Sequence, residues 1–301
     1  MAVKGEKVFE IPDFKPLSDE ILSAPKGIRR KMIPRYEELA RRIRRALLIA
    51  IQGAGSGHPG GSLSSADILT VLFFYEMKIN PANACSPDRD YFILSKGHTC
   101  PLLYSVHAAA GYFPPDDLLT LRKFGSPLQG HPDWKKLECC EISCGSLGQG
   151  LSIANGIAMA MKMDEKPNRV YCLLGDGELQ EGQVWEAGMT SAHYKLDNVC
   201  AIVDYNNLQI DGFVEDVMGI APLDDKFRAF NWNVIKVNGH DIEALMDAFE
   251  SARSFRGKPT VLICSTVKGK GISFMENRAD WHGKAPDAEQ LALALRELDA
   301  Q

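Results

Sequence analysis

The sequence predicts an α/β fold, a mostly parallel sheet with helices on both faces. Short apolar runs rich in β-branched residues recur along the 301 residues, and helical segments alternate with them. Several of these runs lead directly into loops rich in glycine and polar residues. Strands that alternate with helices form parallel sheets covered on both faces, and such sheets bind ligands beyond the carboxyl ends of their strands. A functional site is therefore expected in those loops.

Five short runs are predicted to be strands, because each is apolar and bounded by polar or turn-forming residues. In chain order they are Tyr91–Leu94, Val170–Leu174, Val199–Val203, Val234–Val237 and Thr260–Ser265. All of them are too short to be typical helices of a globular domain, which favours the strand assignment.

Helices are predicted between and around these strands from the spacing of apolar residues. In Glu37–Gln52 an apolar residue recurs at every fourth position, which places these residues on one face of a helix. Asp241 is expected to cap an amphipathic helix that contains Ile242 and Phe249. The other predicted helices are Ala66–Tyr75, Leu147–Met163, Gln180–Ala192 and Ala288–Leu298.

The composition argues against several classes of protein. The chain has 34 basic and 39 acidic residues and a net charge of −5, whereas a protein that binds nucleic-acid phosphates needs a basic surface. No apolar run approaches the roughly 18 residues that span a bilayer, and the N-terminus lacks a signal-peptide pattern. We therefore expect a cytoplasmic protein without nucleic-acid or membrane partners. It is predicted to consist of an N-terminal extension, residues 1–36, and one domain, residues 37–301.

The eight cysteines are expected to stay reduced in the cytoplasm. Cys139, Cys140 and Cys144 lie close together in the sequence, but no second Cys/His pair at the spacing of a zinc site accompanies them. We interpret these three cysteines as small, buried or half-buried residues and not as metal ligands.

Two polar segments follow neighbouring predicted strands. Gly175-Asp176-Gly177 comes after Val170–Leu174, and Asn206-Asn207 comes shortly after Val199–Val203. An Asp and an Asn at the carboxyl ends of parallel strands can reach the same cation, and Mg²⁺ and Ca²⁺ prefer such oxygen ligands. The glycines allow a bulky anion to approach the backbone closely. This pattern favours a site for a metal ion with a diphosphate over two unrelated turns.

Four of the seven histidines stand in similar loops next to glycine. A single loop histidine is more often a surface residue than a catalyst, but a repeated context is harder to explain in that way. Imidazoles donate hydrogen bonds to phosphate oxygens and transfer protons near neutral pH. The four residues are His58, His98, His131 and His282.

Taken together, these segments resemble the transketolase family. The resemblance covers about residues 40–285 and rests on motifs that occur in the order of that family. They are Gly57-His58-Pro59-Gly60, Ser95-Lys96-Gly97-His98, Gln129-Gly130-His131-Pro132, Gly145-Ser146-Leu147-Gly148-Gln149-Gly150, Gly175-Asp176-Gly177-Glu178-Leu179-Gln180-Glu181-Gly182 and Asp204-Tyr205-Asn206-Asn207-Leu208-Gln209-Ile210-Asp211-Gly212. The resemblance implies the thiamine-diphosphate fold and, within it, the domain that binds the diphosphate of the cofactor.

The resemblance also implies roles for the residues that bind the cofactor and its metal ion. The side chains of Asp176 and Asn206 would be ligands of Mg²⁺ or Ca²⁺, with the Leu208 carbonyl as a third ligand. The backbone N–H of Gly177 would donate to the diphosphate, and His98 and His282 would contact the same group or the reacting centre beside it. Gly145 and Leu147 would approach the aminopyrimidine ring.

The remaining implied roles belong to catalysis. His58, His131 and His282 would line the channel near the thiazolium, where they could bind the oxygens of a ketose donor and transfer protons. Glu181 resembles a glutamate at the subunit interface of the family. The implied reaction is the transfer of a two-carbon ketol unit from a ketose, such as a sugar phosphate, to an aldose.

The resemblance covers only the first domain of a full-length transketolase. Such enzymes continue into a pyrimidine-binding domain, which supplies the glutamate that activates the cofactor, and this sequence ends at Gln301. We therefore expect the amino-terminal subunit of a split transketolase, inactive by itself and assembled as α₂β₂ with a separate carboxy-terminal subunit. Whether the substrates are ordinary pentose phosphates or branched or sulfonated sugars stays open.

Two alternatives compete with this interpretation. Deoxyxylulose-phosphate synthase and the E1α subunits of dehydrogenases share the Gly-Asp-Gly and Asn pattern, but the histidine loops, and Gln129-Gly130-His131-Pro132 above all, favour transketolase. A non-catalytic regulator could have kept the fold and lost the chemistry. Against it, the predicted metal ligands and all four loop histidines are present.

Overall fold

The computed structural model describes residues 9–301, and its centre is a five-stranded sheet in which every neighbouring pair of strands is parallel. The spatial order of these strands is β1-β2-β3-β7-β6, and a short antiparallel hairpin, β4–β5, stands apart from them. The strands are β1 Tyr91–Leu94, β2 Val170–Gly175, β3 Val199–Tyr205, β4 Leu208–Gln209, β5 Gly212–Phe213, β6 Asn233–Asn238 and β7 Thr260–Ser265. The predicted fold class is thereby confirmed.

Helices cover both faces of the sheet, as a parallel sheet requires. The α-helices are α1 Lys15–Ser23, α2 Lys26–Arg29, α3 Ile33–Ala54, α4 Pro59–Ser64, α5 Ala66–Val71, α6 Cys100–Ala110, α7 Gly150–Met163, α8 Gly182–His193, α9 Val214–Met218, α10 Leu223–Ala229, α11 Ile242–Ser254 and α12 Ala288–Asp299. A π-helical turn, Leu72–Glu76, continues α5, and 3₁₀ turns lie at Gly97–Thr99, Pro115–Thr120, Gly177–Gln180 and Ala279–Trp281.

The side chains of each central strand alternate between two hydrophobic cores. On β2, Tyr171 and Leu173 face the core that contains α3, α5, α6 and α11, whereas Cys172 and Leu174 face the core beneath α7 and α8. Both sets are fully buried. This explains why the central strands form continuous apolar runs in the sequence, since neither of their faces meets water.

The observed elements match most of the predicted ones, with two instructive differences. The long helix α3 begins at Ile33, earlier than predicted, because Pro34 suits the first turn of a helix. The helix predicted to start at Leu147 starts at Gly150 instead. Gly148, with φ of +83°, adopts a left-handed conformation that a right-handed helix cannot contain.

The predicted N-terminal extension contains two helices that the sequence pattern did not indicate, α1 and α2. Phe14, Leu17 and Ile21 are buried against the larger core, so this segment packs firmly on the body of the protein. The first eight residues lie outside the described part of the chain. The division into an extension and a domain at residue 36 stays a prediction.

The register of the sheet determines where its loops meet. Gly175 at the end of β2 pairs with Asp204 on β3, which in turn pairs with Cys264 on β7. The loops that follow these three strands therefore leave the sheet side by side. Among the helices of residues 9–301, none has the length and apolar character needed to cross a membrane.

Candidate active site

A cavity of about 330 Å³ opens at the carboxyl edge of the sheet. Loops after β1, β2, β3 and β7 line it, together with the loop before α7 and the β4–β5 hairpin. All predicted site residues except His131 line this cavity, namely His58, His98, Gly145, Leu147, Asp176, Gly177, Glu181, Asn206, Leu208 and His282. The fold thus gathers side chains from loops far apart in the sequence.

Asp176 is a buried carboxylate directly after β2. Its Oδ1 accepts a hydrogen bond from the backbone N–H of Gly177 at 2.8 Å, and its Oδ2 accepts one from the backbone N–H of Asn207. Burial, followed by the nearby carboxylate of Asp204, raises the pKa of Asp176 to about 6. A cation bound here would favour the ionised carboxylate, because an opposite charge offsets the cost of burial.

Asn206 and Leu208 supply two further oxygen atoms to the same cavity. The Asn206 side chain is fixed at both ends, since its Nδ2 donates to Asp204 Oδ2 at 3.0 Å and its Oδ1 accepts from the Leu208 N–H at 3.1 Å. The Leu208 carbonyl accepts a hydrogen bond from Lys268 Nζ at 3.0 Å. One of the three predicted metal ligands therefore already contacts a cationic side chain.

Lys268 comes from the loop after β7 and is almost fully buried. Burial lowers the pKa of its ammonium group to about 8, against the attraction of Asp176 and Asp204. Its Nζ also lies 3.1 Å from Nδ1 of His282. Lys268 therefore connects the predicted metal ligands to the histidines.

Lys96 and Asp204 form an ion pair below the cavity, and both side chains are completely buried. The Lys96 ammonium also donates to the Gly61 carbonyl at 3.0 Å and to Ser65 Oγ at 2.8 Å. Asp204 accepts further hydrogen bonds from Ser64, Asn206 and Thr266. Despite burial, Lys96 and these hydrogen bonds lower the pKa of Asp204 to about 2. This network holds the loops of the site together.

Three of the four loop histidines form a triangle of imidazole rings. The ring centroids of His58 and His98 lie 5.1 Å apart, those of His58 and His282 5.5 Å, and those of His98 and His282 5.2 Å. Burial, assisted by neighbouring cations, lowers the pKa of His58 to about 4 and of His282 to about 3, and it also lowers the pKa of His98. All three rings are therefore neutral near pH 7, able both to donate and to accept hydrogen bonds.

These histidines should make the folded protein sensitive to mild acid. Their pKa values are lower in the folded state than in the unfolded state, so the unfolded chain takes up protons first as the pH falls. The stability that depends on neutral imidazoles is fully present above the pKa of the histidines in the unfolded chain. It is lost as the pH falls from that value towards their lower pKa in the folded protein. We expect the free energy of unfolding of the wild type to fall between about pH 7 and pH 5 more steeply than that of a His58→Gln/His282→Gln variant.

Comparing the wild type with the His58→Gln/His282→Gln variant separates the pH effect of these histidines from that of the other titratable groups. Asp176 acts in the opposite direction, because its pKa is raised in the folded state, but it is common to both proteins. Denaturant unfolding at a series of pH values measures the difference. Equal pH dependence in the two proteins would show that the imidazoles do not stay neutral in the fold.

His131 does not line the cavity. It lies next to Gly145, where an added Cβ would be 3.7 Å from His131 Cδ2. Its charge would act on His58, whose pKa it helps to lower. His131 therefore adjoins a lining residue of the cavity, and its catalytic role stays a prediction.

Glu178 is a buried carboxylate that the sequence analysis did not single out. Its Oε1 accepts hydrogen bonds from the Gly148 N–H at 2.8 Å and from the hydroxyl of Ser95, and its Oε2 accepts from the Gly175 N–H at 3.0 Å. These donors come from the loop after β1, from the segment before α7 and from the end of β2. Glu178 therefore positions the loops, and the signal for it was its place directly after the Gly-Asp-Gly segment.

Glu181 lines the cavity next to Gly148, where an added Cβ would lie only 2.8 Å from Glu181 Cβ. Glycine is thus required at position 148 both for its positive φ and for this close approach. The predicted interface role of Glu181 stays a prediction.

The arrangement suits a diphosphate bound with a divalent cation. Two oxygen-bearing side chains and a carbonyl oxygen form the donor set that hard cations select. Gly175 and Gly177 leave the backbone accessible at this point, and the neutral histidines offer hydrogen-bond donors nearby. The residues present therefore fit the predicted cofactor, and Asp176, Asn206 and Leu208 are the ones that would hold its metal ion.

Comparisons with known proteins agree with this chemistry. A family model described as "Transketolase, thiamine diphosphate binding domain" matches residues 36–300. The chain is 42% identical over 259 residues to the 6-deoxy-6-sulfo-D-fructose transketolase subunit SqwG of Clostridium sp. (strain MSTE9), covering 86% of this chain and 94% of the relative. It is 43% identical over 267 residues to an apulose-4-phosphate transketolase subunit of Actinobacillus succinogenes, covering 87% and 96%.

Solved structures of transketolases are also similar to this chain. The transketolase of Campylobacter jejuni superposes with a TM-score of 0.83 at 36% sequence identity, covering 88% of this chain. The chain spans 42% of the length of that enzyme. By contrast, it spans nearly the whole length of the two subunits above. The predicted family and its ketol-transfer chemistry are thereby confirmed, and the chain belongs to the transketolase family, in which it corresponds to the thiamine diphosphate-binding domain.

Proposed function

We propose that this chain is the cofactor-binding subunit of a two-subunit transketolase that needs a separate pyrimidine-binding subunit for activity. The observation that carries the proposal is the cavity at the carboxyl edge of the sheet, which holds the predicted metal ligands and three neutral histidines together. The near-complete coverage of relatives that are themselves named as transketolase subunits supports a partner.

Within this proposal, Asp176, Asn206 and the Leu208 carbonyl hold Mg²⁺ or Ca²⁺, and the Gly177 N–H and His98 bind the diphosphate. Gly145 and Leu147 approach the aminopyrimidine ring. The bound thiamine diphosphate supplies the carbon nucleophile and the electron sink for cleavage of a carbon–carbon bond. The protein then has to orient the cofactor, exclude water and transfer protons.

The histidines perform the proton transfers in this scheme. His58 is neutral and can accept a proton from a donor hydroxyl. His282 is also neutral, and because its Nδ1 faces the Lys268 ammonium, its Nε2 can donate a hydrogen bond to a carbonyl oxygen. Lys268, 3.1 Å from His282, opposes the build-up of positive charge on that ring. We assign His131 a contact with the donor sugar beside the cavity, because it adjoins Gly145 and helps to lower the pKa of His58.

An exposed apolar surface beside the cavity is the proposed docking face for the second subunit. Leu147 and Ile210 line the mouth of the cavity and are exposed, and Phe213 and Met218 continue the apolar surface across the β4–β5 hairpin and α9. Ile210 is 67% exposed and Met218 61%. Large apolar side chains grouped at the edge of a polar site are typical of protein–protein interfaces. Glu181, in the same cavity, would meet a carboxylate of the partner there.

We further propose an α₂β₂ assembly, a cytoplasmic location and a ketose substrate that carries an anionic group. The names of the two relatives include a sulfonated and a phosphorylated sugar, which share such a group. All eight cysteines are free thiols, the state that a reducing compartment maintains.

Coexpression with a candidate pyrimidine-binding subunit tests the function. We expect ketol transfer from a ketose phosphate to an aldose only when both subunits are present, and neither subunit should turn over substrate alone. Turnover by the purified single chain would contradict the need for a partner. Binding of thiamine diphosphate and Mg²⁺ by the complex without ketol transfer would instead favour the regulatory alternative.

A further inference from the structure

His107, Cys139 and Cys140 form a cluster outside the lining of the active-site cavity, and the chemistry proposed above does not use them. His107 lies on α6, and the two cysteines lie in the irregular segment that precedes α7. The Sγ atom of Cys139 is 3.1 Å from Nδ1 of His107. One potential ligand atom from each of the three residues lies within 4.8 Å of the other two. The long separation in sequence explains why the cysteine spacing alone did not indicate a metal site.

The cluster borders a small cavity. A cavity of about 10 Å³ is lined by His107, Cys139, Cys140 and Cys144, with Phe92, Leu94 and Leu103 among its apolar walls. That volume is about the size of one probe sphere, which is enough for a single water molecule or ion. A space of this size among thiols and an imidazole is more suitable for an ion than for an organic ligand.

The types of side chain decide which ion fits. Thiolate and imidazole ligands select zinc and other soft or borderline metals, whereas magnesium and calcium require oxygen ligands. Zinc bonds to sulfur at about 2.3 Å and to nitrogen at about 2.0 Å, which places the two ligand atoms about 3.5 Å apart in a tetrahedral site. Cys139 Sγ and His107 Nδ1, which are 3.1 Å apart, must therefore separate slightly. Rotation of a thiol about its Cα–Cβ bond is sufficient for such a movement, because Cys139 is only half-buried.

Cysteine binds zinc as a thiolate, so each thiol of the cluster would release its proton when the ion binds.

We propose that His107, Cys139 and Cys140 bind one zinc ion, with Cys144 offering a further thiol at the same cavity. This site is independent of the cofactor. It joins α6, which begins directly after the His98 loop, to the segment that carries His131, Gly145 and Leu147. A bound ion would therefore stabilise the relative position of two parts of the candidate active site without taking part in the reaction.

Cobalt is a suitable spectroscopic probe for this site. The full-length chain, purified under reducing conditions and freed of metal with a chelator, is titrated with Co²⁺. We expect one equivalent to produce a thiolate-to-cobalt charge-transfer band and the visible bands of tetrahedral cobalt, and added Zn²⁺ to displace it. Loss of a residue that only supports a ligand lowers metal affinity roughly 10–100-fold, so Cys139→Ser should lower it at least that much.

The exposed Cys85 provides the matched control. A Cys85→Ser variant should bind cobalt as the wild type does. The absence of a thiolate band in the wild type, or an unchanged band in a Cys139→Ser/Cys140→Ser variant, would overturn the proposal.

A second measurement needs no variant and so does not depend on how a substituted chain folds. The rate of alkylation of each cysteine in the wild type is followed by mass spectrometry with and without Zn²⁺. Zinc should slow the alkylation of Cys139 strongly and leave that of Cys85 unchanged. Equal rates for Cys139 in both conditions would also contradict the site.

Discussion

Replacing Lys96 with methionine is expected to destabilise the folded chain by about 3–5 kcal/mol, the cost of leaving a buried charge without its partner. Lys96 and Asp204 are both fully buried, and the Lys96 ammonium is the cation that the Asp204 carboxylate contacts. The substitution would also remove the donor of hydrogen bonds to Gly61 and Ser65. Since a domain of this kind is stable by only about 5–15 kcal/mol, a large part of its stability would be lost.

Lys162→Met is the matched control for this experiment. Lys162 also pairs with an aspartate, Asp197, but its side chain is 38% exposed, and exposed pairs contribute only about 0–1 kcal/mol. Denaturant unfolding of the two variants and the wild type measures the difference. Equal losses of unfolding free energy in the two variants would show that water reaches Asp204 and that the Lys96–Asp204 pair is not the buried centre of the site.

The strands were the most predictable part of the fold, for a physical reason. A strand buried on both faces must be apolar along its whole length, so Tyr91–Leu94 and Thr260–Ser265 stood out with their observed bounds. The cap of α11 was equally local, because Asp241 accepts a hydrogen bond from the Ala244 N–H at 2.9 Å. Signals of this kind depend on a few neighbouring residues and on nothing distant.

The misplaced and missed helices depend on tertiary contacts instead. The helix α7 begins only at Gly150, because Glu178 from another loop binds the Gly148 N–H and fixes a left-handed turn there. The helix α6 was missed because it is buried on all sides, so its apolar residues show no helical period. Neither feature can be inferred from the local pattern of apolar residues.

The residues of the candidate site also divide into those that the local sequence predicts and those that only tertiary packing brings together. Asp176 and Asn206 were predicted because each follows a strand that is itself obvious in the sequence. Lys268 also follows a strand, β7, and a search of every strand end for polar residues would have found it. The partnership of His107 with Cys139 left no such signal, since it arises from the packing of α6 on a segment without regular structure.

Asp176→Asn is expected to weaken the binding of thiamine diphosphate and Mg²⁺ in the assembled enzyme by roughly 10- to 100-fold, because an interaction with a charged group contributes about 1.5–3 kcal/mol. The substitution keeps the size of the side chain and removes its negative charge. Asn also places an amide NH₂ opposite one of the two backbone N–H groups that Asp176 accepts from, so part of the loss would come from the loop itself. Titration of the cofactor at fixed Mg²⁺, followed by ketol-transfer assays, measures both effects.

The Asp211→Asn variant is the control that distinguishes the loss of a direct metal ligand from a weaker general attraction of the cavity for cations. Asp211 lines the same cavity but is exposed at the tip of the β4–β5 hairpin, and exposed charges interact by only about 0–1 kcal/mol. Its substitution should leave cofactor affinity nearly unchanged. If both variants lost affinity equally, the cavity would attract the metal ion through its overall negative charge. A loss confined to Asp176→Asn assigns a direct role to this buried carboxylate, and the Mg²⁺ dependence of that loss separates its two causes. A lost metal ligand raises the Mg²⁺ concentration needed for half-maximal cofactor binding, whereas a rearranged loop weakens cofactor binding equally at saturating Mg²⁺.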